Sequence, residues 1–259
     1  MNVIFFGSTS LGFKCCQALI SQGVEVSRIF SIPQTFSIKY RDKPEKSNVT
    51  NVLFKDFRFF EEEYGIPVHF VEGNIREYEE EIRRLDPELI IVIGWYFMIP
   101  RRILEIPNKG SVAIHSSLLP KYRGKAPLVW AMINGEKETG VSLFYLEGGM
   151  DEGDIISQAK FNIDRTDTIK EVLARAEEAS LMIIQEQVPA ILAGRAGRMK
   201  QDNDLATYYP KRSPEDGKID WSWSKGRIQR FIRAQTRPYP GAFTIIDGKK
   251  VIIWDADII

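Results

Sequence analysis

The chain has 259 residues with 35 basic and 35 acidic side chains, so its formal net charge is zero. Its 44% hydrophobic and 27% charged residues are typical of a folded globular protein and exclude extensive disorder. The charge balance indicates no nucleic-acid partner, and no segment reaches the roughly 18 apolar residues of a membrane span. The N-terminus lacks the basic region of a signal peptide, so we expect a soluble, cytoplasmic protein without a membrane partner.

The N-terminal segment has the pattern of a strand, a helix and a second strand. The predicted elements are a strand at Asn2–Phe6, a helix at Leu11–Gln22 and a strand at Val24–Ile32. Such a β-α-β opening predicts a parallel sheet. The spacing of Gly7 and Gly12 does not complete a dinucleotide-binding fingerprint, and packing of the strand against the helix needs no ligand.

The central part of the chain predicts further strands. Residues Lys39–Phe60 begin polar and then become aromatic, which favours a loop followed by an amphipathic helix. Ile66–Phe70 predicts a third strand, Tyr78–Leu85 a helix, and the apolar run Leu89–Ile93 a central strand covered on both faces. Ligands of α/β proteins bind beyond the carboxyl ends of the strands, so the following aromatic loop, 94–100, either lines a pocket or completes the core.

The C-terminal third predicts one long helix and a small appended module. Apolar residues recur at helical spacing over 164–194, and 195–205 is polar and glycine-containing, as in a linker. Phe243–Ile246 and Val251–Trp254 flank Asp247-Gly248 and predict a hairpin. The expected fold class is therefore α/β, with a Rossmann-like N-terminal domain at 1–200 containing a largely parallel sheet. A small, partly β C-terminal module is expected at 201–259.

The sequence contains two histidines, and one of them has a position suited to chemistry. His69 alternates with apolar neighbours in a predicted strand, which favours a structural role. His115 ends the short strand candidate that begins at Ser111 and leads into a hydroxyl-rich turn. A histidine side chain titrates near neutral pH and can act as a general base, so His115 is a candidate catalytic residue.

A glycine-rich acidic segment runs from Glu147 to Ile155. Glycines let the backbone bend tightly around a ligand, and a carboxylate here could orient an imidazole. The alternatives are a solvated acidic turn or a cation site. The oxygen-rich spacing of a calcium loop is absent, and we predict no metal site.

Three motifs in the middle of the chain resemble one known family. They are His-x-Ser-Leu-Leu-Pro-x-Tyr-Arg-Gly from His115, Asn-Gly-Glu-x-x-Thr-Gly-Val over Asn134–Val141, and Asp-x-Gly-Asp-Ile from Asp151. In order and spacing they are similar to the signature of the tetrahydrofolate-dependent formyltransferases, which act on methionyl-tRNA, glycinamide ribonucleotide or nucleotide-linked sugars. Motifs beginning at Tyr209 and Arg237 resemble the linker and second domain of that family, so the resemblance covers most of the chain.

The resemblance implies a catalytic Asn-His-Asp set. His115 and Asp151 match it, whereas Ala113 stands at the asparagine position. The missing amide would help to stabilise an oxyanion, and the loss of one such donor costs on the order of a hundredfold in rate. A backbone N–H, a water or the hydroxyls of Ser116 and Ser117 could substitute, the native residue could have been replaced deliberately, or the enzyme could be impaired.

The resemblance also implies the donor, 10-formyl-tetrahydrofolate, and direct transfer of its formyl group to an amine. In that mechanism His115 stabilises the intermediate or accepts the proton of the amine, while Asp151 orients and charges the imidazole. No metal is needed. The residues expected to bind the cofactor lie in two loops and are Trp95, Tyr96, Met98, Ile99, Gly149, Asp151 and Asp154.

Chain length and C-terminal motifs are most similar to the nucleotide-sugar N-formyltransferases, which indicates a dTDP- or UDP-linked amino-deoxy sugar used in surface glycan biosynthesis. The expected substrate-binding residues are Ser116, Ser117, Arg123, Gly124, Tyr209, Lys211, Arg212, Arg237 and Tyr239. The last five could instead serve packing between the two domains. The alternatives are a methionyl-tRNA formyltransferase-like enzyme, a folate- or nucleotide-binding protein with impaired transfer, and a metal-dependent or hydrolytic enzyme. The resemblance implies a homodimer.

Overall fold

A seven-stranded sheet runs through the N-terminal part of the computed structural model, which describes residues 2–39 and 46–257. The strands are β1 (Asn2–Gly7), β2 (Glu25–Ser31), β3 (Thr35–Lys39), β4 (Lys46–Thr50), β5 (Val68–Phe70), β6 (Leu89–Ile93), β7 (Ser111–His115), β8 (Arg123–Gly124), β9 (Glu138–Tyr145), β10 (Ile155–Asn162), β11 (Tyr208–Tyr209), β12 (Ala242–Ile246) and β13 (Lys249–Ile253). The helices are α1 (Ser10–Ser21), α2 (Arg58–Tyr64), α3 (Glu79–Leu85), α4 (Arg101–Leu104), α5 (Pro127–Asn134), α6 (Ile169–Leu192) and α7 (Lys225–Arg233).

The strand order of the large sheet is β10-β9-β7-β6-β1-β2-β5. The five strands from β7 to β5 are parallel to one another, and β9 lies antiparallel to both β7 and β10. This arrangement confirms the α/β class with a largely parallel sheet. From β1 the chain adds β2 and β5 on one side of the sheet and then crosses to β6 on the other side of β1. The strand order therefore reverses between β1 and β6, and α/β proteins bind ligands at such a reversal.

Alternation along β1 builds a core on each face of the sheet. Val3 and Phe5 belong to one buried cluster, whereas Ile4 and Phe6 belong to the other. All five residues of the central strand β6 are buried, as expected for a strand covered on both faces. The sheet is therefore held between two apolar layers, and its strand ends are fixed relative to each other.

The predicted helices α1 and α6 are present, and each begins at a threonine cap. Thr9 caps α1, and Thr168 forms a capping box with Glu171 at the start of α6. The adjacent Cys15 and Cys16 on α1 are free and buried. Burial raises the pKa of the Cys15 thiol to about 12, so the thiol remains protonated in the core.

The prediction of a loop before the aromatic helix was wrong in part. Strands β3 and β4 pair as an antiparallel hairpin, and α2 follows at Arg58. Phe36 of β3 packs against Tyr96 and Phe97, with ring centroids 5.1 and 5.4 Å apart. These contacts pack β3 against the loop after β6, and the polar strand β4 pairs with β3. The polar residues 40–45 of that prediction lie outside the described residues.

The C-terminal segment contains the predicted hairpin, which is formed by β12 and β13. Ahead of it, α7 buries Ile228, Phe231 and Ile232 in the same cluster as Leu128 and Val129 of α5. The C-terminal segment therefore shares an apolar core with the N-terminal part of the chain. Over residues 2–39 and 46–257, none of the helices has the length and apolar character needed to span a bilayer.

We expect Gly12→Ala to lower the melting temperature by several degrees, although alanine normally favours a helix. A Cβ atom at Gly12 would lie 2.5 Å from the backbone oxygen of Ile93, so α1 would have to move away from β6. Overpacking of this kind costs about 1–3 kcal/mol. The matched control is Gly197→Ala, where a Cβ atom meets nothing within 4 Å. Equal thermal unfolding of the two variants would contradict the close packing.

Candidate active site

A cleft of about 380 Å³ opens beyond the carboxyl ends of β1, β6 and β7. It lies at the reversal of the strand order, where the α/β architecture places ligands. Its lining residues come from the β1–α1 turn, the loop after β6, the end of β7, and helices α5 and α6: Thr9, Ser10, Leu11, Leu53, Ile93, Gly94, Trp95, Ile114, His115, Ser116, Gly124, Lys125, Ala126, Pro127, Leu128, Val129, Leu173, Ala176, Glu177 and Tyr239.

His115 ends β7 and is almost completely buried, with 8% of its surface exposed. Its Nε2 donates to the carbonyl oxygen of Tyr122 at 2.7 Å, since a carbonyl only accepts. Its Nδ1 lies 3.7 Å from Oδ2 of Asp151, which is ion-pair distance but too long for a hydrogen bond. The Nδ1 atom is therefore available to take a proton on the side facing Asp151.

Asp151 adopts a left-handed backbone conformation, with φ of 57°, in the glycine-rich acidic loop. Its Oδ2 accepts a hydrogen bond from the backbone N–H of Gly124 at 2.8 Å. The side chain of Gln201 donates to its backbone oxygen at 2.8 Å. The structure thus brings the two predicted catalytic residues, His115 and Asp151, together and fixes the carboxylate from a separate segment.

Ala113 is buried in β7, where it is in register with Val92 of β6 and Phe144 of β9. It lies on the same face of the strand as His115, two residues away. Its neighbours belong to the apolar cluster on that face of the sheet. The side chain at this position therefore provides no hydrogen-bond donor.

The loop after β6 places its predicted cofactor residues in different environments. The Trp95 ring packs edge-on against Phe6 with centroids 5.1 Å apart, and its buried Nε1 has no hydrogen-bond partner among the described residues. The Tyr96 hydroxyl donates to Asn51 at 3.0 Å, and burial raises the pKa of Tyr96 to about 12. Ile99 is buried in the core, whereas Met98 is 88% exposed.

The second predicted cofactor loop, Gly149–Asp154, lies between β9 and β10. A Cβ atom at Gly149 would meet the end of the flexible Glu152 side chain, which can move aside. Asp154 accepts from Arg198 at 3.2 Å. The unpaired Trp95 N–H fits a ligand with polar ring atoms, as a folate has, since each buried donor needs an acceptor.

Three of the predicted substrate-binding residues line the cleft: Ser116, Gly124 and Tyr239. Burial raises the pKa of Tyr239 to about 12, so its hydroxyl is neutral and can donate or accept at neutral pH. These residues lie beside His115, which is consistent with their predicted position around an acceptor.

Two predictions for substrate contacts near His115 need correction. Arg123 is completely buried, and its guanidinium is bound by Gln201, Asn203 and Tyr208 rather than facing the cleft. Ser117 is 1% exposed and donates to the carbonyl oxygen of Lys121 at 2.6 Å. Neither side chain can reach a substrate, because its polar atoms are already used inside the protein.

The predicted contacts from the C-terminal motifs are mostly used in packing. Tyr209 stacks on Tyr122 with ring centroids 4.7 Å apart. Arg212 lies over Trp130 at 4.8 Å, and burial lowers the pKa of its guanidinium. Arg237 lies over Trp254 at 5.0 Å. None of these residues, nor the exposed Lys211, lines the cleft, and the ring contacts of Tyr209, Arg212 and Arg237 are consistent with the packing alternative.

The sequence reading missed Gln201, Asn203 and Tyr208, all in the segment taken as a linker or just beyond it. Gln201 is 5% exposed, which is unusual for a glutamine in a polar, glycine-containing stretch. No local pattern could have identified it, because its partners are remote in sequence. Within 2–39 and 46–257, no three His, Cys, Asp or Glu side chains form a group that could hold a metal ion.

Comparison with known proteins shows the family. The formyl transferase family matches residues 1–188, and the formyl transferase C-terminal domain matches residues 211–259. A methionyl-tRNA formyltransferase of Geotalea uraniireducens is 34% identical over 255 residues, covering 98% of this chain and 78% of that enzyme. The bifunctional polymyxin resistance protein ArnA of Wigglesworthia glossinidia brevipalpis is 35% identical over 259 residues, and this chain spans 38% of its length.

A solved structure with the same fold is the N-formyltransferase of Helicobacter canadensis in complex with folinic acid and dTDP-3-aminofucose. It has a TM-score of 0.71 at 18% identity and covers 96% of this chain and 86% of its own. These matches establish that the chain belongs to the formyl transferase family. It is a formyltransferase that uses 10-formyl-tetrahydrofolate as the formyl donor.

Proposed function

We propose that this enzyme formylates the amino group of a nucleotide-linked amino-deoxy sugar, with His115 and Asp151 as its catalytic residues. The observation that carries the proposal is the position of His115. It lies at the end of β7 in a cleft, with Asp151 at 3.7 Å and two helix N-termini in the same lining. The cleft thus combines a proton acceptor with a place for an anionic substrate.

His115 takes the proton of the attacking amine at Nδ1. The ring is held by its Nε2 bond to Tyr122, so Nδ1 keeps one orientation toward the cleft and Asp151. The Asp151 carboxylate stabilises the positive imidazolium that results, as the orienting group of an activated base does. Asp151 stays in place because Gly124 donates to the same oxygen that faces His115.

When bound, 10-formyl-tetrahydrofolate would supply the formyl group: the carbon–nitrogen bond to the amine would form, the bond to the folate nitrogen would break, and the proton taken by His115 would go to that departing nitrogen. We place its ring system between the loop at Trp95–Ile99 and the loop at Gly149–Asp154. The orphan Nε1–H of Trp95 gives this side of the cleft a hydrogen-bond donor. The buried side chains around Ala113 exclude water there, which strengthens the polar contacts that remain.

The other side of the cleft suits the diphosphate of a nucleotide. The first residues of α1, around Ser10, and those of α5, around Pro127, line it together with Lys125. Helix N-termini carry a partial positive charge, and a lysine adds a full charge. This combination supports an acceptor that bears phosphates next to its amine.

Charged initiator tRNA is the second candidate acceptor, because a 34% identical relative is a methionyl-tRNA formyltransferase. The net charge of zero argues against it, since tracking a phosphate backbone usually requires a positively charged surface. We therefore propose the sugar as the acceptor, and the experiment below also tests charged initiator tRNA. The homodimer implied by the family resemblance stays a prediction.

The acceptor is tested by incubating the protein with 10-formyl-tetrahydrofolate and a panel of dTDP- and UDP-linked amino-deoxy sugars. We expect mass spectrometry to detect one formylated sugar nucleotide and no product with charged initiator tRNA. Formylation of the tRNA alone would reject the sugar acceptor. Folate binding without any product would instead indicate a binding protein, and activity abolished by a chelator would indicate the metal-dependent class.

We expect His115→Ala to lower kcat by at least about a hundredfold, since general base catalysis supplies roughly that factor or more. Folate binding, measured by titration calorimetry, should change little because the ring loops are untouched. The matched control is His69→Gln, which removes the other histidine at a site where it pairs with Glu81. Undiminished turnover of His115→Ala would remove this residue from the mechanism.

We expect Ala113→Asn to raise kcat on the order of tenfold or more, because it adds an amide donor where the developing negative charge lies. It should also lower the melting temperature, since Ala113 is packed between Val92 and Phe144. Ala113→Leu has nearly the same shape without the amide and should not accelerate the reaction. An unchanged or lower rate in the asparagine variant would mean that another donor already has this role.

A further inference from the structure

The completely buried Arg123 joins two segments of the chain that are far apart in sequence. Its Nε and Nη2 donate to Oε1 of Gln201 at 3.1 and 2.7 Å. Its Nη2 also donates to Asn203 at 2.8 Å, and its Nη1 to the Tyr208 hydroxyl at 2.6 Å. A buried guanidinium without acceptors is strongly unfavourable, so these bonds hold the segment 201–208 against β8.

Gln201 transmits this anchoring to the loop that carries Asp151. Its Nε2 donates one hydrogen to the carbonyl oxygen of Asp151 at 2.8 Å and the other to that of Gly153 at 2.7 Å. The orientation of the amide follows from its partners, because a guanidinium only donates and a carbonyl only accepts. The Gln201 side chain therefore uses both acceptor positions of its oxygen for Arg123 and both hydrogens of its nitrogen for the Asp151 loop.

The same segment fixes the opposite side of Asp151. Residues Tyr208–Tyr209 of β11 pair in parallel with Arg123–Gly124 of β8. This pairing leaves the N–H of Gly124 directed at Oδ2 of Asp151, at 2.8 Å. The carboxylate is thus held through its backbone by Gln201 and through its side chain by Gly124, and both supports depend on the segment 201–209.

We propose that Gln201 is a positioning residue for catalysis: it couples the buried Arg123 to the Asp151 loop and holds the carboxylate at its distance from His115. This inference rests on the proposed roles of Asp151 and His115. Asp151 has a left-handed backbone, with φ of 57°, which is unfavourable for an aspartate without such support. The two donors of Gln201 provide that support.

Gln201→Glu tests the coupling with almost no change of shape. The carboxylate keeps its bonds to Arg123 but has no hydrogens for the two carbonyls, so the loop should move away. We expect kcat to fall on the order of tenfold to a hundredfold, with KM for both substrates within about twofold. Asn203→Asp is the charge-matched control, because it places the same negative charge beside the Arg123 guanidinium. The side-chain oxygen of residue 203 accepts from Arg123 and does not support the Asp151 loop. Asn203→Asp should keep the kcat of the unmodified enzyme.

Two further measurements separate positioning from general stability. Hydrogen exchange of the Gly124 amide, followed by NMR, should be about tenfold faster in Gln201→Glu, because the hydrogen bond from this amide to the Asp151 carboxylate is lost. The exchange rate should be unchanged in Asn203→Asp. In an Asp151→Asn background, Gln201→Glu should cause no further loss of kcat, because both act through one carboxylate. Gln201→Asn, an amide too short to reach both sides, replaces Gln201→Glu if that variant does not fold.

Unchanged Gly124 exchange, or an equal loss of kcat in both backgrounds, would overturn the role of Gln201. Failure of the proposed function has a different signature. In that case Asp151→Asn by itself keeps the full kcat, whatever happens at Gln201. The exchange measurement needs no turnover, so it decides the positioning of Asp151 even if Asp151→Asn has no detectable activity.

Discussion

A guanidinium group removed from water must donate its hydrogens to protein acceptors, and the architecture around the cleft depends on this requirement. Arg123 is 0% exposed, and its guanidinium donates hydrogen bonds to Gln201, Asn203 and Tyr208. The acceptors come from a segment nearly eighty positions further along the chain. The desolvation of one side chain therefore decides where the polar segment before the C-terminal module runs.

The strands and helices that could be predicted are those whose pattern reflects local physics. The run Leu89–Ile93 is buried on both faces, and the periodic residues of 164–194 form α6 with its capping box. The β3–β4 hairpin could not be predicted, because Phe36 is stabilised by rings from the loop after β6. The polar sequence of β4 does not indicate a strand, and β4 adopts this form because it pairs with β3.

The same division applies to the site. His115 could be selected from its position after a strand, and the family motifs pointed to Asp151, so both were available from the sequence. Gln201 was not, because a glutamine in a polar stretch has no distinguishing pattern until its partners are known. The prediction that Arg123 binds substrate was wrong for a related reason. Arginine occurs both in phosphate-binding sites and in buried ion pairs, and the sequence does not show which of these two roles it has. The fold shows that Arg123 is buried.

All seven strands of the large sheet lie between Asn2 and Asn162, whereas the acceptors of Arg123 begin at Gln201. A chain is synthesised from its N-terminus, and N-terminal regions fold first. The sheet can therefore form on the ribosome while Arg123 still lacks its partners and the loop around Asp151 lacks its support. Gln201 is synthesised only after every strand of the large sheet, so the support of the Asp151 loop cannot form before all of these strands have been made.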